Sequence, residues 1–259
     1  MKMLQKGTGA RGGHHRRRSV IRQAAPFLFS GVCFTLLVVL IFQCSTCYMA
    51  ATRTDPSPGS AFTVRDPAGF PEVDWNYWQS INPQVIGWVT IPGTAVDYPI
   101  VQAPPNDPTF YLTHDVYGDW NFAGCPYLDA ECADGGLEES MNAVVFGHNL
   151  GYGDPSLFAA FARYVDASFA QAHRTVLVQT PTSKIPCVVQ GAACIQGDQA
   201  SKRTRFSDEE DFHSWYQNQI EKCSCRTQDE TEVKRTITFC TCSYYRWDNE
   251  RTIVYAAPN

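Results

Sequence analysis

The chain has 259 residues, 44% of them hydrophobic and 13% aromatic, which suits a folded domain with a sizeable core and excludes a disordered protein. Its charge is divided: residues 1–25 hold seven basic side chains (Lys2, Lys6, Arg11, Arg16, Arg17, Arg18, Arg22) and no acid. The remaining 14 basic residues face all 26 acidic ones, a net of −12, and so acidic a bulk argues against nucleic acid as a partner.

No charged residue occurs between Arg22 and Arg53, and Pro26 to Phe42 is almost unbroken Leu, Val, Phe and Ile. About 20 apolar residues span a bilayer, and basic flanks stay on the cytoplasmic side. We expect a basic cytoplasmic tail at 1–25, a single transmembrane signal anchor at 26–48 with its N-terminus inside, and an extracellular remainder. The rival is a cleaved signal peptide, for which Tyr48-Met-Ala-Ala51 offers small residues. The length of the uncharged zone favours the anchor. Residues 49–65, rich in Pro, Gly and Ser, read as a linker, and 66–259 as one domain.

Within that domain, 66–80 carries Phe70, Val73, Trp75, Tyr77 and Trp78, and predicts a short packed helix. From Ile81 onward the texture is short β-type runs between turn residues: 85–91, 96–102, 110–112, 143–146, 176–179 and 187–190. Two helices interrupt them. One covers 155–164, with Leu157, Phe158, Phe161 and Tyr164 as its apolar stripe. The other covers 207–222, with Ser207 as N-cap and Glu210 three residues on. Two further runs, 236–243 and 251–256, flank a polar turn and predict a closing hairpin. The pattern is mainly β, a barrel or sandwich.

The hairpin carries the first candidate chemistry. Cys242 lies at the end of one run and Arg251 at the start of the other, so a thiol and a guanidinium can sit side by side. Cys240, two residues earlier, shares the face of Cys242. Of the six histidines, His14 and His15 fall in the basic tail, and His173 and His213 on helical patterns. His114 lies in a loop, and His148 follows a β-run in Phe146-Gly-His-Asn149, where the glycine permits a sharp turn. A thiol nucleophile needs such a base. Eight of the eleven cysteines lie beyond the apolar segment (Cys125, Cys132, Cys187, Cys194, Cys223, Cys225, Cys240, Cys242), where an oxidising exterior permits disulfides. Zinc held by the two Cys-x-Cys pairs is disfavoured by their close spacing.

These motifs, in this order and behind an N-terminal apolar segment, resemble the class B sortases, membrane-anchored cysteine transpeptidases. The resemblance runs from about Asn82 to Ala256. It rests on Asn82-Pro-Gln-Val-Ile-Gly-Trp88 and the run to Gln102, Phe110-Tyr-Leu-Thr-His-Asp115, Gly124-Cys-Pro-Tyr-Leu-Asp129, Val144-Val-Phe-Gly-His-Asn149, Arg163-Tyr-Val-Asp166, Thr238-Phe-Cys-Thr-Cys242 and Arg251. It implies an eight-stranded β-barrel with an N-terminal helical extension and a long helix late in the chain. It also implies Cys242 as nucleophile, His148 as acid and base, Arg251 at the oxyanion or substrate backbone, and substrate contacts at Thr241 and Ser243.

By the same resemblance the substrates are surface proteins or pilins with a sorting signal similar to Asn-Pro-x-Thr-(Asn/Gly), and the acceptor is a peptidoglycan-precursor or pilin amine. No cofactor and no metal is implied. Pilus polymerisation, hydrolysis by a thiol protease and a non-enzymatic, disulfide-stapled adhesin stand as alternatives. The sequence departs from the family at Phe239, where leucine is usual, at Cys240, and over the loop 130–140 with Cys132, a possible partner for Cys125.

Overall fold

The computed structural model describes residues 64–151, 153–197, 202–227, 232–246 and 249–259. The expected tail, anchor and most of the linker lie outside these residues. Among the described residues, no helix is long and apolar enough to cross a membrane.

Among the described residues nine strands form one sheet: β1 Val85–Thr90, β2 Asp97–Gln102, β3 Tyr127–Leu128, β4 Asn142–Phe146, β5 Thr175–Gln179, β6 Lys184–Gln196, β7 Cys225–Arg226, β8 Thr236–Ser243 and β9 Glu250–Pro258. The order β5-β1-β2-β3-β4-β8-β9-β6 closes through a β5–β6 pairing, which makes an eight-stranded barrel. β7 is a two-residue addition on the outer side of β6. Closure removes the exposed edges that an open sheet would leave. Two ladders are parallel, β2–β3 and β4–β8; the remainder are antiparallel.

The barrel is filled from alternate positions of its strands, with Val89, Ile100, Leu128, Val145, Phe239 and Val254 in one cluster. Phe239 stacks on Phe161 at 4.4 Å and meets Phe158 edge-on at 6.0 Å. Those rings accommodate the extra bulk where leucine would be usual. A second cluster joins Trp78, Trp88, Tyr111, Cys125 and Tyr127 under the helical extension, α1 Trp75–Ile81. Asp74 caps that helix by accepting from Tyr77 N at 2.9 Å. Short helical turns follow at α2 Gly136–Glu139, α3 Ala159–Ala162 and α4 Ala167–Ala172. The late helix, α5 Glu209–Glu221, lays Phe212 and Tyr216 with Cys240, Cys223 and Tyr255 in a third cluster.

Four sequence expectations are corrected. The run Phe110–Leu112 is a 3₁₀ turn that buries Tyr111 in the second cluster, with Phe110 and Leu112 packed against it. The helix expected over 155–164 starts only at Ala159, because Leu157 has φ +49°, a left-handed conformation that breaks the run. The late helix is capped by Asp208, whose carboxylate accepts from Asp211 N at 2.8 Å, while Ser207 donates to Asp211 from outside the helix. Gly147 does not have a glycine-only φ. It is needed because a Cβ there would lie 2.5 Å from the Phe158 ring.

Candidate active site

Two ladders bring the candidate residues together. β4 and β8 run parallel in a register that pairs Asn142 with Thr236 and Phe146 with Cys240. Carried two residues past the end of β4, that register sets His148 beside Cys242. Gly147 N donates to Cys240 O at 3.2 Å, which keeps the two chains together up to that point. β8 and β9 are antiparallel and pair Cys242 directly with Arg251. His148 and the Cys242–Arg251 hairpin pair, distant in sequence, thus meet at one end of the barrel.

His148 is half-buried and hydrogen-bonds through Nε2 to Leu112 O at 2.9 Å. A carbonyl can only accept, so Nε2 carries a proton. Interaction with the Cys242 thiol is the main reason the His148 pKa lies above its ordinary value; burial opposes it, the Leu112 carbonyl supports it, and Arg251 opposes it. The same interaction is the main reason the Cys242 thiol is held below its ordinary value. Burial works against it, while the charges of Arg251 and His148 and a hydrogen bond from Tyr244 work with it. Both shifts favour the same state, a thiolate beside an imidazolium.

The other seven described thiols move the opposite way. Burial raises Cys125, Cys194 and Cys225, and pushes Cys132 up to about 11 and Cys187, Cys223 and Cys240 up to about 12. All eight are free thiols. Cys125 and Cys132 sit in different clusters. Among the described residues, no group of three or more His, Cys, Asp or Glu is placed to hold a metal ion.

The neighbouring groups complete the site. Asn149 Nδ2 donates to Cys242 O at 3.0 Å, and Tyr244 OH donates to Asn149 O at 3.1 Å. Arg251 Nη1 donates to Glu250 O at 3.0 Å. The exposed Phe122 ring lies nearly parallel to His148, at 6.5 Å and 10°. An open cleft of about 610 Å³ begins at Asn149 and Tyr244 and continues past Asp154, Arg163 and Tyr245. Thr241 and Ser243 are 2% and 0% exposed and share the inward face of Phe239 on β8. Their hydroxyls point away from the thiol, so a substrate at Cys242 would meet only their backbone.

His173 ends α4 and His213 lies exposed on α5. His114 stacks on Phe110 at 3.8 Å and bonds Phe110 O. Sequence reasoning missed Asn149, Tyr244 and the Leu112 carbonyl. The first two lie next to His148 and close to Cys242 in sequence, but nothing in their residue type announces a role.

No family model matches the sequence. The chain is 28% identical over 165 residues to sortase B of Listeria monocytogenes, covering 63% of this chain and 65% of that protein. It is 24% identical over 180 residues to sortase B of Staphylococcus aureus, covering 69% and 71%. The structure of sortase B from Clostridium perfringens superposes with a TM-score of 0.64 at 25% identity, covering 71% of this chain and 98% of that one. In sequence and in fold, the chain is similar to the class B sortases. The sequence match spans just under two thirds of the Listeria protein. The order of the motifs and the barrel geometry converge on the same end of β4, β8 and β9.

Proposed function

We propose that the protein is a cysteine transpeptidase that cleaves a C-terminal sorting signal after threonine and joins the acyl group to a cell-surface amine. The observation that carries this reading is that two ladders set Cys242 beside His148 and Arg251, where, alone among the eight described thiols, it is held below its ordinary value.

The Cys242 thiolate attacks the threonine carbonyl carbon, and the carbonyl oxygen takes the negative charge. The Arg251 guanidinium, across the ladder from Cys242, is placed to stabilise that oxygen or hold the peptide backbone. As the intermediate collapses, the C–N bond breaks and His148 gives its proton to the departing amine. This leaves a thioester and a neutral imidazole. An incoming amine attacks the thioester and loses its proton to His148; the C–S bond breaks, and the thiolate–imidazolium pair is restored.

Two solved relatives carry names that fit these two half-reactions, a Staphylococcus aureus sortase B–substrate complex and a sortase B complexed with triglycine. They support a sorting-signal peptide as donor and an unhindered amine as acceptor here. The sorting signal we propose is similar to Asn-Pro-x-Thr-(Asn/Gly). The basic residues 1–25 and the apolar stretch 26–48 support a membrane anchor with the catalytic domain outside.

The test is mass spectrometry of the protein mixed with a sorting-signal peptide. A mass increase equal to the fragment ending in threonine, located on Cys242 and released as a ligated product by added triglycine, is the expected result. Release at the same rate as free acid with or without the amine would replace transpeptidation by hydrolysis. No adduct on Cys242, with Cys242→Ala as active as the native protein, would overturn the reading.

A further inference from the structure

We infer that Glu250 is a positioning residue, whose buried carboxylate holds the backbone at Tyr245 so that Tyr244 flanks the Cys242 thiol. Glu250 opens β9 and is 0% exposed. Its Oε2 accepts from Tyr245 N at 2.8 Å, while its Oε1 is buried without a hydrogen-bond partner. Cys194, Ser243 and Arg246 N favour its charged form. Burial alone would raise the acid; these groups outweigh it and keep the group below its ordinary value.

The pattern of partners is what gives the residue its role. Glu250 pairs with Ser243 and Arg251 with Cys242, so the carboxylate lies on the opposite face of the ladder from the thiol. It therefore acts on the site through its neighbours. Tyr245 N is tied to it, and Ser243 and Arg246 favour its charge. Tyr244, enclosed between them, is the residue whose phenol reaches Cys242 and Asn149 O. On the other flank, the Glu250 carbonyl accepts from Arg251 Nη1. That contact is to the main chain, so the side chain's own reach to the site is through Tyr244.

The titratable groups facing the carboxylate are Cys194 from β6 and Tyr245 from the connection, and burial raises both. Neither titrates where Cys242 does, so the thiol can be followed alone. The inference rests on Cys242 being the reactive thiol, and alkylation measures that apart from any transpeptidation.

The experiment is the pH dependence of Cys242 alkylation by iodoacetamide in the full chain, quantified by mass spectrometry, for the native protein, Glu250→Ala, Glu250→Gln, Tyr244→Phe and the Glu250→Ala/Tyr244→Phe pair. Glu250→Ala should move the midpoint upward and slow alkylation below it by about tenfold, one unit of pKa. Glu250→Gln, which keeps an oxygen for Tyr245 N, should fall between. The double variant should be no worse than Glu250→Ala alone, because both act through Tyr244.

A native midpoint in a folded Glu250→Ala overturns the inference, as does a loss equal at every pH. If Glu250→Ala does not fold, Glu250→Gln and Glu250→Asp decide, and native midpoints in both overturn it. A shifted midpoint in a protein that forms no ligated product would sink the proposed function and leave this inference standing.

Discussion

At the scale of single residues, the site is a small electrostatic device. Cys242 and His148 exchange one proton, and their shifts point toward each other: the thiol down, the imidazole up. The competent form needs the first deprotonated and the second protonated. Activity should therefore rise as pH climbs through the lowered thiol value and fall as it climbs through the raised imidazole value, a bell-shaped profile of kcat/KM. Removing His148 deletes the largest cause of the thiol shift, so His148→Ala should move the alkylation midpoint of Cys242 upward and cut kcat/KM by roughly 10²–10⁴. Arg251 contributes only its charge to that shift. Arg251→Ala should move the midpoint less, yet lower kcat/KM by about 10²–10³ if it serves the oxyanion as proposed. An Arg251→Ala midpoint beyond that of His148→Ala would reverse the assignment.

At the scale of elements, the parallel β4–β8 ladder is what turns two distant motifs into a site. Its close packing is exacting at Gly147, where a methyl group would meet the Phe158 ring. Gly147→Ala should cost about 1–3 kcal/mol by overpacking, read as a shift in the urea midpoint, and should lower kcat/KM because His148 is the next residue. Adding Phe158→Leu should recover part of both. At α5, Asp208→Ala should cost about 1 kcal/mol as a lost cap, and Ser207→Ala much less.

These elements also show how far the sequence could be read. The β8–β9 hairpin is local, so its two β-runs and polar turn predict it together with the Cys242–Arg251 pairing. The β4–β8 pairing joins residues more than ninety positions apart and leaves no periodic trace, so the approach of His148 to Cys242 came from the family resemblance. Gly147 was legible as a special position, but for the wrong reason: a neighbouring ring, invisible in sequence, sets the requirement. Thr241 and Ser243 adjoin the nucleophile in sequence, yet strand alternation turns them inward. The buried acid Glu250 looked like one more charge in a polar turn.

At the scale of the whole molecule, the barrel decides which of its many thiols can react. Eight cysteines in one domain beyond an apolar segment look like a disulfide framework, yet all eight are free, and five are buried. Cys240 carries the puzzle left by its spacing from Cys242. It lies on the same face of β8 but beneath α5, packed with Phe212, Tyr216 and Tyr255, and burial pushes its thiol up to about 12. That environment makes it a packing residue whose thiolate is absent near neutral pH. Cys194 and Cys225 are only half-buried, but their thiols are also raised. A short pulse of iodoacetamide at about neutral pH should therefore label Cys242 first among the eight, with Cys194 and Cys225 following only as the pH is raised. Cys240 should become reactive only in denaturant. Cys240→Ala should lower the unfolding midpoint, through the cavity left under α5, and leave the labelling rate of Cys242 within about twofold. Labelling of Cys240 in the folded protein at a rate matching Cys242 would show instead that α5 lifts from the hairpin and that the two thiols act as a pair.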